Sequence, residues 1–240
     1  MHASKSRKSY KGKFDMLGME ASVEEIYGSA YASAVYISSV TKLRKVKKVY
    51  VIGMAGIEEE LREEGVSFIG GTIAPLTLFS LSNFSLDPDV QAVLCGLDLS
   101  VNYTKLSKAF QYLTRNPCCR FLVTNEDSTF PSTDGLLPGA GAISASLRFA
   151  LEKDPISIGK PAKTMLDCIQ AKVNFDPKRT IMVGDRLNTD ILFGQAGGLV
   201  TFLVLTGITS KQNITGPDAS PIVPDYVTQS IGDLRVLNGK

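Results

Sequence analysis

The 240-residue sequence contains no tryptophan, a single histidine and only four cysteines. With His2 the sole imidazole, a histidine-based triad and a zinc site are close to excluded. Cys95, Cys118, Cys119 and Cys168 form no metal-ligand spacing, and the adjacent pair cannot easily bridge locally. No apolar run approaches the roughly 18 residues that a membrane helix needs. No signal peptide opens the chain, so a cytoplasmic protein without a membrane partner is expected. The net charge of +2 gives no argument for nucleic acid, and none is expected as a partner. There is no P-loop. Gly139-Ala-Gly141 lacks the third glycine of a dinucleotide fingerprint, Ser144 standing in its place, and reads as a turn feeding a helix over 142–151. What is present is 44% hydrophobic and 21% charged residues with 21 glycines, enough for one large core or two smaller ones.

The chain opens with helical patterns. Lys5, Arg7, Lys8, Lys11 and Lys13 form the basic face of a helix whose apolar face carries Tyr10, Phe14 and Leu17, and Gly18 stops it. A capping box, Ser22 to Glu25, opens a second helix with Ile26, Ala30, Ala34 and Ile37 at helical spacing. From about Val46 strands and helices alternate: strands over 49–52, 66–69, 90–94 and 121–123, helices over 57–64 and 105–113, and a loop over 72–88.

The second half carries the chemistry. A short strand from Ile156 ends at Gly159, then Lys160 precedes Pro161, a good first residue for a helix with Met165, Ile169 and Val173. Residues 181–183 form an apolar strand that delivers Asp185 at its carboxyl tip. Thr189 is placed to cap a short helix that Gly197-Gly198 stops, and residues 201–205 supply the next strand. Open α/β sheets bind ligands beyond the carboxyl ends of their strands. A lysine and a carboxylate converging there suit a phosphate held with Mg²⁺.

Gly159-Lys-Pro161, Val183-Gly-Asp-Arg-Leu-Asn-Thr-Asp190 and Leu205-Thr-Gly-Ile-Thr209 together resemble the haloacid dehalogenase superfamily, in its p-nitrophenylphosphatase/phosphoglycolate phosphatase branch. Ser4-Lys-Ser-Arg7, Tyr31-Ala-Ser-Ala-Val-Tyr36, Val49-Tyr-Val-Ile-Gly53, Gly96-Leu-Asp98, the Thr124 to Pro131 stretch and Pro138-Gly-Ala-Gly141 fall in family order, so the likeness covers nearly the whole chain. It implies an α/β fold: a Rossmann-like core from residues 1–45 and 140–240, with an α/β cap inserted over 46–139. It implies a Mg²⁺-dependent hydrolase of small phosphorylated metabolites, working through an aspartyl-phosphate intermediate. Lys160 resembles the lysine that neutralises the phosphoryl group. Asp185 and Asp190 resemble the metal carboxylates, Asp190 as the outer partner. Asn125, Asp127 and Arg186 are implied in substrate binding, the first two on the cap loop, where turn chemistry is an equal alternative. A homodimer through the cap is left open.

The family's first strand ends in Asp-x-Asp, nucleophile and general acid/base, and a second strand delivers a phosphate-binding hydroxyl before Asn-Asn. Here Met1-His2 stands where Asn-Asn belongs. The expectation is therefore an incomplete phosphatase chain, inactive as it stands. The alternatives are a non-catalytic binding or regulatory protein and a chain that does not fold. The missing strands would flank the one ending in Asp185, so its edge is expected to lie open.

Overall fold

A computed structural model of the protein describes residues 5–41, 48–73 and 85–238. Residues 1–4 and the middle of the loop expected over 72–88 lie outside the described residues. Its contacts divide the chain into two compact units, Met1–Gly159 with Asp167–Ala171, and Lys160–Leu166 with Lys172–Lys240.

Helix α1 (Arg7–Met16) is capped by Ser6, whose hydroxyl accepts from the Ser9 N–H, and it ends before Gly18 at φ +66°. The capping box at Ser22 and Glu25 forms, but it opens only one 3₁₀ turn, Val23–Glu25, because Ile26 is extended. The helix proper, α2 (Ser29–Val35), starts after Gly28 and continues as a wider turn, Tyr36–Val40. Next come β1 (Lys48–Ile52), α3 (Ala55–Glu63), β2 (Phe68–Gly70), β3 (Val90–Cys95), α4 (Tyr103–Arg115) and β4 (Arg120–Val123). A hairpin that the sequence pattern did not reveal, β5 (Thr129–Ser132) and β6 (Gly135–Pro138), precedes α5 (Ala140–Leu151) and β7 (Ile156–Ser157).

Five parallel strands run in the order β2-β1-β3-β4-β7. The sheet is covered on both faces, which is why its strands are nearly continuous apolar runs. Alternate residues face opposite ways. Val49, Val51, Ala92, Leu94 and Leu122 pack with Ala30, Ala34 and Ile37 from the α2 region and Ile57 and Leu61 of α3. Tyr50, Ile52, Val93, Cys95, Phe121 and Val123 pack with Ala109 and Tyr112 of α4 and Leu147 of α5. Both α5 and β7 therefore belong to this sheet, so the boundary expected at residue 140 falls inside the unit. The described residues of the expected N-terminal core segment pack here as well.

An ion pair ties α1 to α3. Glu60 is buried and accepts from the Arg7 backbone N–H at 2.5 Å and from Arg7 Nε at 2.9 Å. The Arg7 guanidinium lies 3.4 Å from the Tyr31 ring centroid. Gly56 admits this segment: a Cβ there would come within 2.5 Å of the Lys5 backbone. Desolvation pushes the Glu60 carboxyl above its ordinary value, the Arg7 contacts opposing it. Removing the partner of a buried charge costs about 3–5 kcal/mol. Arg7→Ala should lower stability by roughly that amount in a denaturant titration, whereas Lys8→Ala, from an exposed pair with Glu63, should leave it nearly unchanged.

The second unit holds α6 (Thr164–Lys172) in part, β8 (Ile181–Gly184), α7 (Leu192–Ala196), β9 (Val200–Val204), α8 (Gln212–Thr215) and β10 (Tyr226–Thr228). Its parallel sheet has the order β10-β9-β8. Gly194 lets α7 lie close on the sheet, since a Cβ would meet Thr201 at 2.6 Å and Met182 at 2.9 Å. Among the described residues β8 ends this sheet, in line with the open edge expected there, and Ile181 and Val183 are 56% and 40% exposed.

Thr201 and Asp225 clamp β9 to the segment leading into β10. The Thr201 N–H and hydroxyl donate to Asp225 Oδ2 at 2.8 and 2.7 Å, and the Asp225 N–H donates back to Thr201 Oγ1 at 2.9 Å. The Thr201 hydroxyl, then its N–H, hold the Asp225 carboxyl below its usual range. A depressed folded value means that this stabilisation is present above the unfolded value, about 3.9, and lost as pH falls through the folded one. Thermal unfolding followed from pH 7 downward should show that loss in the native protein and a shallower acid slope in Asp225→Asn.

Candidate active site

The site is built around the carboxyl end of β8. Leu187 and Ile191 pack with Leu203, partly covered by Leu205, Ile214 and Ile222. This apolar anchoring winds residues Leu187–Ile191 into a wide helical turn that opens at Arg186. Thr189 lies inside that turn and caps nothing, contrary to the sequence reading. Asp190, on the same turn, is only 6% exposed and points back under Gly184. A Cβ on Gly184 would come within 2.5 Å of Asp190 Cγ and 2.7 Å of its Oδ2, so the strand must end in glycine for the carboxylate to fit.

Lys160 reaches this carboxylate. Its Nζ lies 2.6 Å from Asp190 Oδ1, the ammonium part-exposed and the carboxylate buried. Helix α6 begins at Thr164, so Pro161 is not its first residue as expected and Lys160 stands on a turn ahead of the helix. The buried carboxylate holds the ammonium in one place with part of its surface open to a ligand.

Asp185 is held from the other side. The Ile208 N–H donates to its Oδ2 at 2.9 Å and the Thr209 N–H to its backbone carbonyl at 3.0 Å. Gly207 makes room, because a Cβ there would lie 2.5 Å from Asp185 Cβ. The Leu205 to Thr209 stretch thus orients the carboxylate and, among the described residues, leaves Oδ1 without a hydrogen-bond partner. Arg186 turns elsewhere: it is exposed, and its Nε donates to Asn188 Oδ1 at 3.0 Å.

In the five-stranded unit a polar loop follows β4. Buried Thr124 donates its hydroxyl to Asn125 Oδ1 at 2.8 Å, and Asn125 Nδ2 donates to Asp127 Oδ2 at 2.7 Å. The Gly141 N–H donates to the Asp127 carbonyl at 2.9 Å. A Cβ on Gly141 would approach Glu126 C at 2.6 Å. The G-x-G stretch is therefore the latch of this loop.

Other nucleophiles are few. Burial pushes the Cys95, Cys119 and Cys168 thiols up to about 12, so they remain protonated at neutral pH. One Asp-x-Asp spacing exists, Asp87-Pro-Asp89, which the sequence reading passed over. It precedes β3, at the wrong end of the strand, and Asp87 pairs with Lys48 at 2.7 Å.

Two family profiles match the chain: haloacid dehalogenase-like hydrolase over residues 2–67, and a HAD hydrolase-like profile over residues 157–234. A 4-nitrophenylphosphatase of Schizosaccharomyces pombe is 48% identical over 97% of this chain and 79% of its own. The chain belongs to the haloacid dehalogenase-like hydrolases. Phosphoglycolate phosphatase 2 of Arabidopsis thaliana is 41% identical over 97% of this chain and 78% of its own. The solved p-nitrophenyl phosphatase of Archaeoglobus fulgidus superposes with a TM-score of 0.81 at 27% identity, covering 98% of this chain and 83% of that one. The recognised branch and α/β fold class are thereby supported, and the relatives make this a phosphatase family.

Within this haloacid dehalogenase-like chain, the residues singled out from sequence separate into groups. Lys160 and Asp190 meet directly, Asp185 shares their unit, and Asn125 and Asp127 bond to one another in the five-stranded unit. Asp190, which the sequence reading made the outer partner of the metal carboxylate Asp185, is here the ion-pair partner of Lys160. Ile208, Thr209 and Gly207 were missed as supports of Asp185; the Leu-Thr-Gly-Ile-Thr motif was their signal. Among the described residues no three His, Cys, Asp or Glu side chains form a metal-holding group, and no helix is long and apolar enough to cross a membrane.

Proposed function

We propose that the protein represents a Mg²⁺-dependent phosphomonoester hydrolase of the 4-nitrophenylphosphatase/phosphoglycolate phosphatase type, acting on a small phosphorylated metabolite. The observation that carries this is the Lys160–Asp190 pair on the same short unit as the oriented Asp185 carboxylate. Mg²⁺ uses few protein carboxylates and keeps several waters and phosphate oxygens, so one free oxygen on Asp185 fits it and a three-residue cluster is not required. When bound, the metal would supply charge neutralisation of the phosphoryl group. Lys160 contributes a second positive charge, fixed in position by Asp190. Asn125 and Asp127 are proposed to contact the leaving group. We assign the cap to the five-stranded unit, which would also carry a homodimer contact, and the phosphate half-site to the other unit of a cytoplasmic protein.

The 240-residue chain is proposed to be inactive by itself, because the described residues supply no attacking carboxylate beside Lys160. The same observation favours the second reading, a non-catalytic phosphate-binding or regulatory protein. Residues 1–240, incubated with p-nitrophenyl phosphate and Mg²⁺, should release no p-nitrophenol above the buffer rate. Turnover that Asp185→Ala abolishes would contradict both the inactivity and the regulatory reading.

A further inference from the structure

A cavity of about 380 Å³ lies in the β8–β10 unit and is lined by Arg186, Asn188, Ile208, Asn213, Asp218 and Ser220 among others, but not by Lys160, Asp185 or Asp190. Its internal hydrogen bonds consume acceptors and leave donors. Asn188 Oδ1 takes Arg186 Nε at 3.0 Å; Asn213 Oδ1 takes the Ser210 N–H and hydroxyl, each at 2.8 Å; Ser220 Oγ takes the Ile222 N–H at 3.2 Å. Among the described residues, the ends left without a partner are then two carboxamide NH₂ groups, a hydroxyl hydrogen and the terminal nitrogens of the guanidinium. The exception is Asp218, a carboxylate with no hydrogen bond or ion pair among the described residues. Arg186 and Asp218 thus line one cavity without pairing to each other.

We propose that this cavity binds a small zwitterionic amino acid, its carboxylate on Arg186 and the amide donors and its ammonium on Asp218. The volume suits a small ligand. One guanidinium and one carboxylate give the wall no net charge, so a zwitterion satisfies both, whereas a phosphate dianion would leave surplus negative charge against Asp218. The proposal shares Arg186 with the substrate-binding residues that the family resemblance implies, but it uses none of Lys160, Asp185 and Asp190, and its Asp218 arm is separate from the phosphatase reading.

The test is calorimetric titration of the 240-residue protein with glycine, L-serine, acetate, methylammonium and inorganic phosphate. Glycine or L-serine should bind saturably, with acetate and methylammonium at least about tenfold weaker, equivalent to about 1.4 kcal/mol. Arg186→Gln and Asp218→Asn should each weaken amino-acid binding at least about tenfold. Both residues are exposed, so the unliganded thermal midpoint should stay unchanged. Absence of saturable binding, acetate binding as well as glycine, phosphate binding more tightly than either, or insensitivity to Asp218→Asn would each overturn it.

Discussion

Gly184→Ala should abolish Mg²⁺-dependent phosphate binding while leaving the five-stranded unit folded. The added methyl group would lie 2.5 Å from Asp190 Cγ, a separation that side chains do not tolerate, and Asp190 is buried. Displacing it releases Lys160 from its 2.6 Å contact and strips the ammonium of its fixed position. A loss of at least about 100-fold in phosphate affinity is expected, equivalent to about 2.7 kcal/mol. Phosphate titration monitored calorimetrically, with circular dichroism as the folding control, checks it. Gly12→Ala is the matched control, because a Cβ there meets nothing within 4 Å.

This prediction also marks how far the sequence could be read. The strand ending at Gly184-Asp185 was legible because a short apolar run closed by glycine and a carboxylate has few other readings. The parallel strands of the larger sheet were legible as nearly continuous apolar runs because that sheet is covered on both faces. The pairing of Asp190 with Lys160 was not, since the two are 30 positions apart and only the tertiary fold brings them together. The capping box at Ser22 misled because a local hydrogen-bond pattern can form around a single turn, and Ile26 then leaves the helix. Asp134-Gly135 was the unused signal for the β5–β6 hairpin, Gly135 supplying φ +121°. The direction of the Arg186 side chain was not legible either, because its position beside Asp185 in sequence does not fix where a long, exposed side chain points.

Lys105→Met is expected to destabilise the five-stranded unit strongly. Lys105 and Asp98 are 3% and 4% exposed, and Nζ lies 2.7 Å from Asp98 Oδ2. The other carboxylate oxygen accepts from the Ser100 N–H at 2.8 Å, so the lysine is the carboxylate's counter-charge. Methionine fills the same space and leaves a buried anion unpaired, at a cost of about 3–5 kcal/mol. For a chain of this size each kcal/mol shifts the thermal midpoint by about 2–4 °C. Adding Asp98→Asn to the variant should restore much of the loss, because a neutral amide can keep the Ser100 bond without a buried charge. Thermal unfolding of the two single variants and the double variant measures the coupling. A double variant no more stable than Lys105→Met would show that packing and not charge holds this corner.

Lys160 and Asp185 are proposed to form the phosphate and metal half of a hydrolase site. Calorimetric titration of the 240-residue protein with inorganic phosphate, with and without Mg²⁺, tests it most directly. Mg²⁺ should tighten phosphate binding and phosphate should tighten Mg²⁺ binding by the same factor, as linkage requires, with both effects lost in Asp185→Asn. Phosphate binding that ignores Mg²⁺ and survives both Asp185→Asn and Lys160→Met would contradict the account.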